Sequence, residues 1–137
     1  MPFVLFDGTC ERAMTFYRSC FDGDLEMTYV RETPMREGMP PALHDRVIYA
    51  HLAAGAIELS ATDWLHQTRA PRVGNTVAVY LSGGDEEELR TFFDRLAVEA
   101  DPELLDELHE LPFGLYGHLQ DRFGVHWFFR GEPASAS

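Results

Sequence analysis

The feature that most constrains this chain is an internal repeat. Thr9 can cap a helix whose apolar residues Ala13, Phe16, Tyr17 and Cys20 fall at i, i+3, i+4 and i+7, the spacing of one helical face. Asp85 can cap a second helix, with Glu88 three residues on as in a capping box, and Leu89, Phe92, Phe93 and Leu96 repeat the stripe. Both caps and both stripes are separated by one offset, about 76 residues. The flanks keep that offset. Phe3-Val4-Leu5-Phe6 runs into Asp7-Gly8 before the first helix, and Val79-Tyr80-Leu81-Ser82 runs into Gly83-Gly84 before the second. Each half therefore opens as strand, glycine-containing turn and amphipathic helix.

Each half also closes on a hairpin pattern. Val47–Ala53 and Ala56–Ala61 flank Ala54-Gly55, while Tyr116–Gln120 and Val125–Arg130 flank Asp121-Arg122-Phe123-Gly124. Leu25–Val30 reads as an extended segment between helix and hairpin. In the second half Asp101-Pro102 can start a short helix, an Asp cap with Pro at the first position, before a strand near Glu107–Leu111. The order is βαβββ, twice, an α+β fold. The expected layout is one domain over 1–131, with module 1 over 1–63, a linker over 64–73 and module 2 over 74–131. Residues 132–137 read as a disordered tail. Residues 31–45, with Pro34, Gly38, Pro40 and Pro41 and with Met35 and Met39 as exposed candidates, read as a long loop. A lid, a subunit contact and a merely mobile loop are all open for it.

A length of 137 residues suits one domain and gives a core that needs no disulfide or metal staple. The net charge of −12 repels phosphate backbones and anionic lipid, which argues against nucleic-acid and membrane-surface partners. No apolar stretch approaches the length of a membrane span, and the N-terminus lacks a basic leader, so the chain reads as cytoplasmic. Cys10 and Cys20, on one helix, lie about 15 Å apart along its axis and cannot bridge. A helix start can lower a thiol pKa, but Cys10 has no evident catalytic partner in sequence, which favours a structural role.

Strand alternation sorts the hairpin residues onto two faces. Ile48, Ala50, Leu52, Ile57, Leu59, Leu119, Val125, Trp127 and Phe129 should pack on the helices. Tyr49, His51, Glu58, Ser60, Tyr116, His118, Gln120, His126 and Phe128 should point the other way. His51 and His118 hold like places in Ala50-His51-Leu52 and Gly117-His118-Leu119. Three imidazoles with one carboxylate (His51, His118, His126 and Glu58) have the chemistry for zinc or for proton transfer near neutral pH. The same alternation is also what any half-solvated antiparallel sheet shows. The chain has no G-x-S-x-G, H-E-x-x-H, C-x-x-C or P-loop motif.

Phe6-Asp7-Gly8 with Ala13 and Phe16-Tyr17, Asp45 to Leu52, Gly74-Asn75-Thr76, Phe113-Gly114, Gly117 and Asp121 to Trp127 together carry a resemblance. Over about residues 3–130 the chain resembles the vicinal-oxygen-chelate (glyoxalase/bleomycin-resistance/dioxygenase) superfamily, and within it the PhnB-like branch, some of whose names imply ubiquinone methyltransferases. It departs from that branch where Tyr49-Ala50-His51 replaces His-Ala-Glu and Phe113-Gly114 replaces Trp-Gly, and in a longer segment over 98–110. The resemblance implies paired βαβββ modules whose curved mixed sheets enclose a cleft. Metal-dependent members place one His or Glu on each of four strands. Those positions fall on Pro2 (or Met1), Glu58, Thr76 (or Asn75) and Phe128, of which Glu58 is the one good ligand. The usual metal is therefore not expected, and no cofactor is.

Three functions remain open at this stage. The favoured one is metal-free binding of a small organic molecule by Tyr49, His51, Glu58, Tyr80, Tyr116, His118 and Phe128, with the acidic surface suiting a cationic ligand. The second is a metal-dependent isomerase, lyase or dioxygenase using His51, Glu58, His118 and His126 as a rearranged divalent-metal cluster. The third is a non-catalytic structural or drug-sequestering protein. The resemblance also implies a homodimer. The methyltransferase names find no support, because no strand–glycine-loop–helix unit of a parallel sheet is present to hold a nucleotide-like cofactor.

Overall fold

The repeat is realised strand for strand. The computed structural model describes residues 2–66, 77–82 and 85–131, and the chain divides into two compact units, Met1–Arg72 and Val73–Ser137. The expected tail, the Gly83-Gly84 turn and most of the expected linker lie outside the described residues. The first unit runs β1 (Phe3–Phe6), α1 (Cys10–Phe21), β2 (Asp24–Tyr29), β3 (Val47–Ala54) and β4 (Ile57–Asp63). Its sheet has the order β1-β4-β3-β2, with β1 and β4 parallel and the other pairs antiparallel. The second unit runs β5 (Val79–Ser82), α2 (Glu86–Leu96), β6 (Asp106–Leu111), β7 (Gly114–Gln120) and β8 (His126–Arg130). Its order, β5-β8-β7-β6 with β5 and β8 parallel, is the same topology. The architecture is α+β, two βαβββ modules with mixed four-stranded sheets.

In each unit one face of the sheet is covered by the helix. Ala13, Met14, Tyr17, Cys20 and Phe21 of α1 are buried, as are Ala50, Leu52, Leu59 and Ala61 of the sheet. Phe16, part of the expected stripe, is only half-buried. The buried face is rotated toward Met14 and Phe21. In the second unit Leu89, Phe93 and Leu96 are buried with Leu115, Leu119, Trp127 and Phe129, and Phe93 meets Phe129 edge to face at 5.2 Å between ring centroids. Of the residues expected on the helix side, Ile48, Ile57 and Val125 are half-buried, at or beside strand ends.

The two helix starts are satisfied differently. Asp85 caps α2 as expected, its Oδ1 accepting the Glu88 N–H at 2.7 Å. The Thr9 side chain makes no cap bond. A carboxylate at the end of the neighbouring strand β4 replaces it: Asp63 Oδ1 accepts the Cys10 N–H at 2.9 Å, and Oδ2 accepts the Val47 N–H at 2.8 Å. Asp63 is only 3% exposed, so this one side chain fastens α1 to β3 and β4 from inside the core. A negative group also complements the partial positive charge of a helix N-terminus.

Residues 30–46 are not an irregular loop. Three short 3-10 turns, Val30–Glu32, Pro34–Gly38 and Pro41–Leu43, fold the segment on itself. His44 Nε2–H donates to the Arg36 and Met39 carbonyls at 2.9 and 3.0 Å, and Arg31 pairs with Asp45 at 3.1 Å. Met35 is exposed as expected, while Met39 is half-buried. The second hairpin is likewise organised by one carboxylate. Buried Asp121 accepts from the Phe123 and Val125 N–H groups at 2.8 and 3.1 Å through Oδ1, and from the Trp127 indole N–H at 2.8 Å through Oδ2. Among the described residues no helix is long and apolar enough to cross a membrane.

Candidate functional site

The face of the second sheet that α2 leaves uncovered carries a continuous run of rings. Alternation puts Tyr116, His118 and Gln120 of β7 and His126, Phe128 and Arg130 of β8 on it. The antiparallel register sets Tyr116 opposite Arg130, His118 opposite Phe128 and Gln120 opposite His126. On the outer side, β6 sets Asp106 opposite His118 and His109 opposite Tyr116, with a bulge between. Gly117 lets that edge strand come close, since a Cβ there would stand 2.7 Å from Leu108 Cδ2.

His118 lies at the centre of this run. Its ring stacks on His126 at 5.4 Å and 11°, and meets Phe128 at 4.4 Å. Phe128 meets Tyr116 at 5.9 Å, and Phe113, from the β6–β7 turn, stands edge-on to Tyr116 at 6.1 Å. The Arg130 guanidinium lies over the Phe113 ring at 5.3 Å, a cation–π contact that closes the end of the array. Tyr80 of β5 is opposite Phe128 and 55% exposed. Such a surface offers stacking area with two polar ends.

The imidazole end is closely coupled. His118 Nε2 and His126 Nδ1 are 3.2 Å apart, so one nitrogen donates to the other. Burial holds the His118 pKa below the usual histidine value, helped by neighbouring His126 and opposed by the negative charge of Asp106. His126 is 7% exposed, and its Nε2 is buried with no hydrogen-bond partner among the described residues.

The first sheet presents a smaller set on its uncovered face. Tyr49, exposed, stacks parallel to His51 at 6.5 Å, and His51 Nε2 is 3.9 Å from Glu58 Oε1. Ser60, expected among the outward residues, lies opposite His51 but is buried. The expected residues thus divide, with Tyr49, His51 and Glu58 in one unit and Tyr80, Tyr116, His118, His126 and Phe128 in the other. Cys10 is buried, and its thiol pKa is pushed up to about 12 by burial and by Asp63, the reverse of the lowering a helix start can give.

Two of the positions implied for a metal, Pro2 and Phe128, carry no ligating side chain. Pro2 offers only its carbonyl, which accepts the Ser60 N–H at 3.0 Å. Phe128 is wedged among His118 and Tyr116. Thr76, Asn75 and Met1 lie outside the described residues. Glu58 stands opposite Ala53 and His126 opposite Gln120, whereas Ser60 and Phe128 stand opposite His51 and His118. By register, then, the counterpart of Glu58 in the second module is His126 rather than Phe128. Among the described residues, no three His, Cys, Asp or Glu side chains gather closely enough to hold an ion.

Several site residues escaped sequence reasoning. In sequence Phe113 stands only as a replacement for tryptophan, Arg130 is the end of an expected strand, and Asp106 falls in the short helical stretch before one. The β6–β7 register, with its bulge, brings in Asp106, and the β7–β8 register brings in Arg130.

Comparison with known proteins agrees with this architecture. A family model described as 3-demethylubiquinone-9 3-methyltransferase matches residues 1–129. Among solved structures, a Pseudomonas aeruginosa protein is 25% identical, with 97% of this chain and 96% of that one covered and a TM-score of 0.82. A Bacillus cereus PhnB protein, named a putative 3-demethylubiquinone-9 3-methyltransferase, is 26% identical over 96% of this chain and 97% of that one, with a TM-score of 0.68. A Frankia glyoxylase/bleomycin resistance protein/dioxygenase domain shares the fold at 15% identity, 93% and 92% coverage and a TM-score of 0.63. No functionally curated protein matches the chain. The chain belongs to the family described as 3-demethylubiquinone-9 3-methyltransferase, the description also carried by the similar PhnB protein.

Proposed function

We propose that this protein binds a small, planar aromatic molecule on the uncovered face of β7 and β8, without the divalent metal usual for its superfamily. The observation that supports this reading most is the unbroken array His126, His118, Phe128, Tyr116, Phe113 and Arg130. Sheet faces turned to water ordinarily carry small or charged side chains. Here four aromatic or imidazole rings from two strands touch in series, and Phe113 and Tyr80 keep large exposed areas. Aromatic contacts contribute about 0.5–1.5 kcal/mol each beyond area burial, so three or four supply about 2–6 kcal/mol of the roughly 8 kcal/mol that micromolar affinity requires, and burial of the ligand's apolar surface must supply the rest. The net charge of −12 favours neutral or cationic ligands over anions.

The methyl transfer in the family description gains no support from the site. Each described sheet has one parallel pair, and neither is the extended parallel sheet that holds a nucleotide-like cofactor. The test is a fluorescence titration of chelator-dialysed protein with planar aromatic probes, a neutral naphthalene, an acridinium cation and a naphthalenesulfonate. The expected result is saturable one-to-one binding of the neutral and cationic probes, unchanged by added Zn or Mn and weakened at least tenfold by Tyr116→Ala. Binding that appears only with metal, or a stoichiometric metal that survives dialysis, contradicts the proposal.

A further inference from the structure

The ring array ends at an arginine that is exposed and yet held at both ends. The backbone just past Arg130 is pinned. The Gly131 N–H donates to the Leu115 carbonyl at 2.9 Å, and a Cβ at Gly131 would stand 3.0 Å from Leu89 Cδ1 and 3.1 Å from Leu115 Cβ. At the far end of the side chain, the guanidinium carbon lies 5.3 Å from the centre of the Phe113 ring. A surface arginine ordinarily samples many rotamers, and a ligand that orders one must offset the lost entropy. Arg130 has that loss reduced in advance, because Phe113 already positions its head.

The strand register says what that head can reach. Arg130 stands opposite Tyr116 and two residues along β8 from Phe128, about 7 Å at the usual rise of a strand. A fused two-ring system lying on Phe128 and Tyr116 therefore brings its edge to the guanidinium. A guanidinium that uses its face on a ring keeps its N–H groups around the rim, and these are donors only, so they select an acceptor oxygen. Charge decides which kind of oxygen. Strand β6, beside the array, carries Asp106, Glu107 and Glu110, all exposed, and the whole chain carries −12. A carboxylate on the ligand would gain at Arg130 and lose to that surrounding field, whereas a carbonyl oxygen gains without the loss. We propose that Arg130 is the specificity-determining residue of this face, and that the ligand is a neutral aromatic molecule with a carbonyl oxygen at its edge. The inference rests on the aromatic-binding reading above and adds to it the functional group that the ring must bear.

Three probes with one ring system test it by isothermal titration calorimetry: 2-acetylnaphthalene, 2-ethylnaphthalene and 2-naphthoate. The native protein is expected to bind the ketone about tenfold tighter than the hydrocarbon, and the carboxylate no tighter than the ketone. Arg130→Met should bring the ketone down to the affinity of the hydrocarbon, which itself binds as before. Arg90→Met makes the same change in net charge on α2, where Arg90 pairs with Glu86, and should leave the preference intact. Equal affinities of ketone and hydrocarbon for the native protein overturn the inference and leave the aromatic-binding reading standing. Tighter binding of 2-naphthoate than of the ketone overturns the choice of a neutral acceptor. A preference that survives Arg130→Met, or that Arg90→Met abolishes equally, overturns the assignment to Arg130. Failure of all three probes to bind, with the native fold confirmed, overturns the aromatic-binding reading and the inference together.

Discussion

Replacing Asp63 by alanine tests how the first module is held together. The carboxylate is 3% exposed and accepts two backbone N–H groups, Cys10 at 2.9 Å and Val47 at 2.8 Å, from two different elements. Hydrogen bonds to a charged group contribute about 1.5–3 kcal/mol each, and a buried donor left unpaired costs about 1–3 kcal/mol. Removing a buried charge returns part of that, because its desolvation penalty also disappears. The net expectation is a loss of about 3 kcal/mol, roughly 10 °C in melting temperature for a chain of this size. Thr9→Ala supplies the contrast. An N-cap residue that bonds the helix is worth about 1 kcal/mol, but the Thr9 side chain makes no cap bond, so its removal should cost under about 0.5 kcal/mol. Urea denaturation followed by circular dichroism measures both. A Thr9→Ala loss equal to or larger than that of Asp63→Ala would refute the assignment of the cap to the carboxylate.

Three further predictions follow from the same geometry. The Cys10 thiol is raised to about 12 from an ordinary value near 9, so the unfolded chain releases this proton first as pH rises. Its contribution to stability is complete below pH 9 and is lost between 9 and 12, at up to about 1.4 kcal/mol per pH unit. Urea melts of native protein and Cys10→Ala across that range should converge toward high pH, and a constant difference would contradict it. Asp121→Ala removes the acceptor of the Trp127 indole N–H and of two backbone donors, so the folded state should lose about 2–4 kcal/mol and the environment of Trp127 should change. Unaltered tryptophan emission together with unaltered stability would sink that account. We propose a homodimer in solution, and sedimentation equilibrium at micromolar concentration giving the mass of one chain would refute it.

The fold was legible because a duplicated module writes its pattern twice. Asp85 with Glu88 and the stripe from Leu89 to Leu96 place α2, and a fixed offset carries the reading back to α1, whose own cap signal at Thr9 is misleading. Thr9 misled for a physical reason. The donor at that helix start is satisfied by Asp63, 53 residues away, and no local pattern announces such a bond. The segment from 31 to 45 is legible only as turns, since proline and glycine mark turns without saying that His44 ties them to one another.

The candidate site was legible by face but not by grouping. Strand alternation placed Tyr116, His118, Gln120, His126 and Phe128 on one side, which the register bears out. Alternation alone does not give the strand pairing. Only the observed partners show that Glu58 matches His126, that Ser60 matches Phe128, and that Asp106 stands beside His118. Phe113 and Arg130 join the array through a turn and a strand end, where period-two reasoning stops.

The most direct test of the central claim is an aromatic carbon-13 spectrum of the native protein recorded during titration with 2-naphthol. The account predicts progressive shifts of Tyr116, His118 and Phe128, with Trp127 and Phe129 on the helix-covered side of the same strands nearly unmoved. Shifts centred on Tyr49 and His51, or none at saturating probe, would contradict it.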